Sequence, residues 1–319
     1  DVQTQAVVIA LKIRTTPAAA AVAASEAALD WLIARHTRQV LYKYCSTFDS
    51  TADGNIGPVC DALLARLRSD FTVLLPALPV NGRTVVNGDL LVDGVPLARS
   101  SMRDHPLTPM TESSIAALMD AQTATGRTGV IETRIVAAGS QAIAQAITSE
   151  QAAGRRYASI DTRNQSDLLA IAEAVHDMRL VTGSSGIGAT LAQVLKARGL
   201  VKDTPHLTPV PRSRRHAAVL AGSCSQITRQ QVDAFKPYSE SIVIDPLALA
   251  DGTTTEENIA DQALAAIDGQ DLLIYSSAAP DSLRAIQQRL GVDQSARLVE
   301  NTLAFVAEQL AAAGVNKLN

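Results

Sequence analysis

Cysteine is scarce in this chain. Cys45, Cys60 and Cys224 are the three in 319 residues. No CxxC pair and no His pair at metal-ligand spacing accompanies them. So sparse and odd a set excludes a disulfide framework, argues against a zinc site and fits a reducing cytoplasm. Long apolar runs are missing too. None reaches the roughly 18–20 residues of a membrane span. The start, Asp1-Val-Gln-Thr-Gln, has neither the basic nor the apolar region of a signal peptide. Positive charge is not in excess: the net charge is −4 and the pI near 5.8. That leaves no electrostatic footprint for nucleic acid or an anionic membrane. Arg212, Arg214 and Arg215 cluster in a Pro-rich stretch that reads as a solvated linker. No repeat of solenoid period occurs. What is present is apolar mass: 47% of residues are hydrophobic and 19% charged. Such a balance excludes a disordered chain, and the length suits two domains.

Short β-rich runs alternate with Ala-rich helical stretches. Strands are predicted at Ala6–Lys12, Val40–Cys45, Phe71–Ala77, Gly129–Val136, Tyr157–Asp161 and Leu180–Gly183. Helices are predicted from Pro17 to about Arg35, then over Pro58–Leu67, Ser140–Ala153, Ser166–Val175 and Ile187–Arg198. Val85–Leu97 breaks the rhythm. Its Asn87-Gly88 and Asp93-Gly94 pairs are hairpin signals, because such turns need φ > 0. Residues 202–215 hold Pro205, Pro209 and Pro211 without periodicity, the best domain boundary in the chain. Beyond it, strands are predicted at Ala217–Ala221, Ser241–Asp245 and Asp271–Tyr275. Helices are predicted at about Thr228–Phe235, Glu256–Ala266, Pro280–Leu290 and Ser295–Ala313. The expected architecture is α/β in two domains, residues 1–201 and 216–319. Each is a mainly parallel sheet covered by helices, with a ligand cleft between them. Parallel sheets bind ligands beyond the C-terminal ends of their strands, so the residues there carry the functional reading.

Five segments qualify. Tyr42–Thr51 packs hydroxyls, Lys43 and Asp49 into ten residues. Lys43 suits a carboxylate, Asp49 can accept a hydroxyl proton, and Ser46 and Ser50 suit a polyol. The same run also fits a Ser/Thr-rich turn with an N-cap. Arg83 can fork onto a carboxylate or sit in a surface ion pair. His105, among polar neighbours in a segment that Pro106 and Pro109 freeze, is a site residue or a structural one. Thr182–Gly188 and Gly222–Ser225 run from strand to helix through small residues, and their N–H groups can meet an anion or simply make the connection. The TGSSGIG run looks like a short-chain dehydrogenase turn. It is one residue too short, however, and no Tyr-x-x-x-Lys follows. Walker A, GxSxG and HExxH patterns are absent.

Together, these segments resemble the four-carbon acid sugar kinase family over nearly the whole chain. The resemblance rests on ALKIRTTPA (Ala10–Ala18), YKYCSTFDSTADGNIGPV (Tyr42–Val59), PALPVNGRTV (Pro76–Val85) and MRDHPLTPM (Met102–Met110). It continues in LVTGSSGIGA (Leu180–Ala189), LAGSCSQITRQQV (Leu220–Val232) and VDQSARLVENTLA (Val292–Ala304). Within the family the chain is most similar to the 3-oxo-tetronate kinases. The resemblance implies ATP-dependent phosphorylation of the terminal (4-) hydroxyl of 3-oxo-tetronate, with D-threonate or D-erythronate as alternative acceptors. A non-catalytic acid-sugar binding protein is the reading from a different class. An N-terminal substrate domain would carry Lys43, Ser46, Asp49, Ser50, Arg83 and His105. A C-terminal nucleotide domain would carry Gly222, Ser223 and Ser225. ATP is the implied cofactor and Mg²⁺ the expected one, though no metal ligand is assigned. A cytoplasmic homodimer with no nucleic-acid or membrane partner is expected. Family members begin with a strand and an ADDxTGA turn whose aspartates are the expected catalytic groups, and they end in GGETSG and SGNFG nucleotide loops. None of these occurs here, so the 319 residues by themselves are expected to be inactive as a kinase.

Overall fold

The computed structural model describes residues 4–103, 108–123, 127–202, 217–267, 270–315 and 317–318. The chain divides into two compact units, Asp1–Thr204 and Pro205–Asn319. The first unit runs α1 (Ala18–Ile33), β1 (Val40–Lys43), α2 (Ile56–Leu67), β2 (Thr72–Leu75), β3 (Arg83–Val86), β4 (Asp89–Val92) and β5 (Val95–Pro96). It continues with α3 (Ile115–Asp120), β6 (Thr128–Ile131), α4 (Thr133–Ala137), α5 (Ser140–Ala152), β7 (Tyr157–Ile160), α6 (Gln165–Val175), β8 (Leu180–Gly183) and α7 (Ser185–Ala197). Its main sheet is parallel, in the order β1-β8-β2-β7-β6.

Strand alternation divides the core in two. Leu74, Tyr157 and Leu180 point to one face, against α1, α2 and α3. Val73, Leu75, Ala158, Ile160 and Val181 point to the other, against α5, α6 and α7. Both faces are buried, as a parallel sheet requires. The helices start where side chains cap them. Asn164 accepts from the Asp167 N–H and Ser184 from the Gly186 N–H, each satisfying a donor with no intrahelical partner. The β3-β4-β5 meander is antiparallel. Its turns use the expected residues, with φ of 54° and 80° at Asn87 and Gly88 and 52° and 78° at Asp93 and Gly94.

Two expectations fail. Ala6–Lys12 is not a strand: it has no regular structure and lies exposed, Val8 at 93%. A strand exists only through its ladder, and these residues pair with no strand among the described ones. The run expected to be a strand to Val136 stops at Ile131, and α4 begins at Thr133. The helix start is set from 28 residues away, where the buried Asp161 carboxylate accepts from the Thr133 N–H and hydroxyl at 2.8 and 2.7 Å.

The second unit contains β9 (Ala218–Ala221), α8 (Gln226–Phe235), β10 (Glu240–Val243), α9 (Pro246–Ala250), α10 (Glu256–Ala266), β11 (Leu272–Tyr275), α11 (Pro280–Leu290) and α12 (Val292–Ala312). Its parallel sheet has the order β10-β11-β9. Ala218, Leu220, Leu272 and Ile274 face a core shared with α10 and α12. Thr255 and Asn258 form a reciprocal capping box at the start of α10. Lys317 accepts from the Ala218 N–H, beside a parallel bridge of Leu318 to Ala218. Residues 203–216, which hold most of the expected linker, lie outside the described residues.

Candidate active site

In the first unit the β1–α2 loop leaves the C-terminal end of β1 and is unusually well buried. Thr47, Phe48, Asp49 and Ser50 are each at most 6% exposed. An edge-to-face ladder of Tyr42, Tyr44 and Phe48 anchors it. The Tyr44 hydroxyl meets Thr182 Oγ1 at 3.1 Å, and Thr182 donates to the Val73 carbonyl on β2. Burial pushes the Tyr44 phenol well above its usual range, so it stays a neutral structural group. Phe48 and Asp49 both have positive φ, 60° and 23°. Two successive non-glycine residues there store strain, which persists only where the surroundings enforce it.

What that strain achieves is the placement of Asp49. Its Oδ1 accepts from Thr47 Oγ1 at 2.5 Å, and its Oδ2 pairs with Arg14 at 2.5 Å. Asp49 is buried while Arg14 is 61% exposed. The carboxylate therefore holds a guanidinium whose remaining donors face solvent. The Arg14 turn is itself pinned. Asn55 Nδ2 donates to the carbonyls of Ile13 (2.6 Å) and Thr16 (3.0 Å). Neither Arg14 nor Asn55 was among the expected site residues. Arg14 lies inside the ALKIRTTPA run, but its partner is 35 positions on, a pairing no local spacing reveals.

The expected site residues fall into distinct groups. Lys43 is exposed at the end of β1 and Ser46 is half-buried just beyond. Neither side chain has a partner among the described residues, so both can meet a ligand. Ser50 is committed inward: it donates to Gln122 Oε1 at 2.9 Å, and the same oxygen accepts from the Gly57 N–H. Gln122 in turn donates to the Leu118 carbonyl. Arg83 opens β3, donates to the Asn81 carbonyl and leaves its buried Nε without a partner. Its loop follows β2, two strands from β1 and hence about 10 Å along the same sheet edge. His105 lies outside the described residues.

The meander bearing Arg83 is clamped to the end of β7. Val85 and Thr162 exchange both backbone hydrogen bonds, and Asp161 accepts from the Asn87 and Gly88 N–H groups at 2.9 Å each. Thr182–Gly186 serves packing. A Cβ on Gly183 would lie 2.5 Å from the Leu75 carbonyl, and one on Gly186 2.8 Å from that of Ala77. Ser184 spends its hydroxyl on the Ala77 carbonyl and the Gly186 N–H. These small residues let β8 and α7 approach β2.

In the second unit, Gly222–Ser225 joins β9 to α8. Ser225 caps α8 by accepting from the Thr228 N–H. Ser223 is exposed, and its carbonyl accepts from Ser277, tying the loop to the exit of β11. A Cβ on Gly222 would meet Leu303 Cδ1 at 3.1 Å, so α12 presses on this position. Among the described residues, no three His, Cys, Asp or Glu side chains converge as a metal site, and no helix is long and apolar enough to cross a membrane.

Comparison with known proteins agrees with this division of the chain. A family model described as a sugar-binding N-terminal domain matches residues 1–191, and one described as a nucleotide-binding C-terminal domain matches residues 218–319. The 3-oxo-tetronate kinase of Haemophilus influenzae is 42% identical over 97% of this chain and 74% of its own length. That of Cupriavidus necator is 43% identical over 99% and 72%. A solved Haemophilus influenzae structure of the DUF1537 family aligns with a TM-score of 0.68 at 41% identity, covering 97% of this chain and 74% of that one. A Salmonella typhimurium LT2 structure aligns at 0.78 with 40% identity, covering 97% and 73%. With an α/β sheet in each unit, both domain models in order and kinases of this kind matched along nearly its whole length, the chain belongs to the four-carbon acid sugar kinase family.

Proposed function

We propose that this protein transfers the γ-phosphoryl group of ATP to the terminal hydroxyl of 3-oxo-tetronate. The observation that carries the acid-sugar part is the Asp49–Arg14 pair: a buried carboxylate holds an exposed guanidinium, and the unpartnered Lys43 and Ser46 belong to the same strand end and loop as Asp49. Arg14 and Lys43 balance the substrate carboxylate, Arg14 by a two-pronged contact. Ser46 and Arg83 read the sugar oxygens, and His105 is assigned to the same side. Asp49 and Ser50 act as positioning groups, because their side chains are already engaged. Residues 1–201 form the substrate domain, 202–215 the linker and 216–319 the nucleotide domain. Gly222, Ser223 and Ser225 lie on the nucleotide side, where α8 offers its N–H groups to phosphate.

Phosphoryl transfer makes the bond from substrate oxygen to phosphorus and breaks the bond to the ADP leaving oxygen, so it asks mainly for positioning and charge balance. Mg²⁺ is usually held by the nucleotide phosphates with one or two carboxylates. The described residues offer no preformed cluster for it, and no step is assigned to it. The three free cysteines fit a reducing cytoplasm. Homodimerisation belongs to the same reading and is tested by light scattering.

Calorimetric titration with freshly prepared 3-oxo-tetronate, D-threonate, D-erythronate and L-threonate tests the substrate. Tightest binding of 3-oxo-tetronate is expected, and equal affinity for all four overturns the assignment. ADP release that depends on the acid sugar separates a kinase from a binding protein.

A further inference from the structure

Helix α2 is capped by a residue from elsewhere in the chain. Asn55 stands at its N-cap, where the side-chain oxygen ordinarily accepts from a first-turn N–H. Asn55 makes no such bond. Its amide is turned instead to the Ile13 and Thr16 carbonyls, pinning the Arg14 turn. Gln122 takes over at α2. Its Oε1 accepts from the Gly57 N–H at 3.1 Å, one of the donors that a helix start leaves without an intrahelical partner. The same oxygen accepts from Ser50 Oγ at 2.9 Å, one residue after Asp49. The approach is close enough to require glycine: a Cβ on Gly57 would lie 2.6 Å from Gln122 Cβ.

Gln122 is itself firmly held. It lies just past α3, whose Ile115 and Met119 are completely buried, and its Nε2 donates to the Leu118 carbonyl at 3.0 Å. At the other end of α3 the chain pairs with the meander. The Leu90 N–H donates to the Ser113 carbonyl at 2.8 Å, and the Ile115 N–H to the Gly88 carbonyl at 3.0 Å. Helix α3 thus links the meander that bears Arg83 to the loop that bears Asp49. In that loop Phe48 and Asp49 have positive φ, a strained backbone that must be enforced from outside. The bond from Ser50 to Gln122 enforces it at the very next residue.

We infer that Gln122 is a positioning residue for acid-sugar binding. By capping α2 it leaves Asn55 free to pin the Arg14 turn, and through Ser50 it keeps Asp49 in place. Without the Gln122 oxygen, Asn55 can return to the cap of α2, and doing so releases Arg14. The inference rests on the reading that Arg14 meets the substrate carboxylate, and adds the residue that maintains that contact.

The test is calorimetric titration of 3-oxo-tetronate and of its uncharged amide into the full chain, Gln122→Met and Gln122→Glu, with urea unfolding of each. Gln122→Met keeps the side-chain length and removes the hydrogen bonds of the amide. Its affinity for the acid is expected to fall about 5- to 50-fold, and for the amide less than about threefold. Gln122→Glu keeps an acceptor for Ser50 and Gly57 and loses only the donor, so it retains more of the acid-to-amide ratio than Gln122→Met. A purely structural role predicts a lower urea midpoint with an unchanged ratio, and that result overturns the inference. So does a ratio for Gln122→Glu no better than that for Gln122→Met. Hydrogen exchange tests the cap without any substitution. The Gly57 amide of the wild type is expected to be protected, and exchange at the rate of a free peptide overturns the cap. If the wild type binds acid and amide equally, the Arg14–carboxylate reading itself falls, and this inference with it.

Discussion

Replacing Asp161 with Ala should loosen the Asn87 turn of the Arg83 meander from the main sheet. The Asp161 side chain is completely buried and accepts four hydrogen bonds, from the N–H groups of Asn87, Gly88 and Thr133 and from the Thr133 hydroxyl, at 2.7–2.9 Å. Gly88 is buried, so its amide would be left unsatisfied at about 1–3 kcal/mol. Asn87 and Thr133 lie nearer the surface and can recruit water. Charge-assisted bonds are each worth about 1.5–3 kcal/mol and are not additive. The expected loss for Asp161→Ala is about 3–5 kcal/mol, a large share of a domain's stability. Asp161→Asn keeps the shape but turns an amide donor toward N–H groups, so about 1.5–3 kcal/mol is expected. Urea unfolding gives the totals. Hydrogen exchange then locates the effect, with the amides of Asn87, Gly88 and Thr133 losing protection before those of β2 and β8. The bridge of Val85 to Thr162 remains, so opening should begin at the Asn87 turn. A change below about 0.5 kcal/mol for Asp161→Ala, or uniform loss of protection across the sheet, would refute this reasoning.

Further outcomes follow from the same structure. Asn55→Ala removes both bonds that pin the Arg14 turn; acid-sugar affinity should fall about 5- to 50-fold while ATP affinity stays within twofold, as titration can show. Gly183→Ala drives a methyl against the Leu75 carbonyl and should lower stability by about 1–3 kcal/mol in a urea melt. Burial, with the Asp61 charge, raises the Cys60 thiol above its ordinary 9.0, and burial raises the Tyr44 phenol above 10.0. Both groups stay protonated in the fold, so their contribution is intact below the unfolded-state values and is lost as pH rises past them. The urea midpoint should hold to about pH 8.5 and then fall, at about 1.4 kcal/mol per pH unit for each group. A flat profile to pH 11 would contradict this.

The features legible in the sequence are those set by near neighbours. Strand–helix alternation placed β7, β8, α10 and α11 within a residue or two, and the Asn-Gly and Asp-Gly pairs turned where φ > 0 was required. Distant partners account for the rest. The start of α4 is governed by Asp161, and Ala6–Lys12 is apolar enough for a strand but has no ladder. The short helices α3 and α9 have too little periodicity to register. The site divides along the same line. Lys43, Ser46, Asp49 and Ser50 stood out as a polar cluster after a strand, but their roles hung on Arg14 and Gln122, which reach Asp49 and Ser50 from 35 and 72 positions away, and on the tie from Asn55 back to Ile13 across 42 positions. Even TGSSGIG, with the look of a cofactor turn, is explained by backbone crowding against Leu75 and Ala77.

The central claim is that Asp49 aims Arg14 at the carboxylate of a four-carbon acid sugar. Titration of the wild type, Arg14→Ala and Arg14→Lys with 3-oxo-tetronate and with its uncharged amide tests it most directly. The acid should bind the wild type far more tightly than the amide. Arg14→Ala should remove most of that difference, and Arg14→Lys should restore only part of it, because an ammonium lacks the planar fork. Equal affinity of the wild type for acid and amide, or an acid affinity unchanged in Arg14→Ala, would contradict the claim.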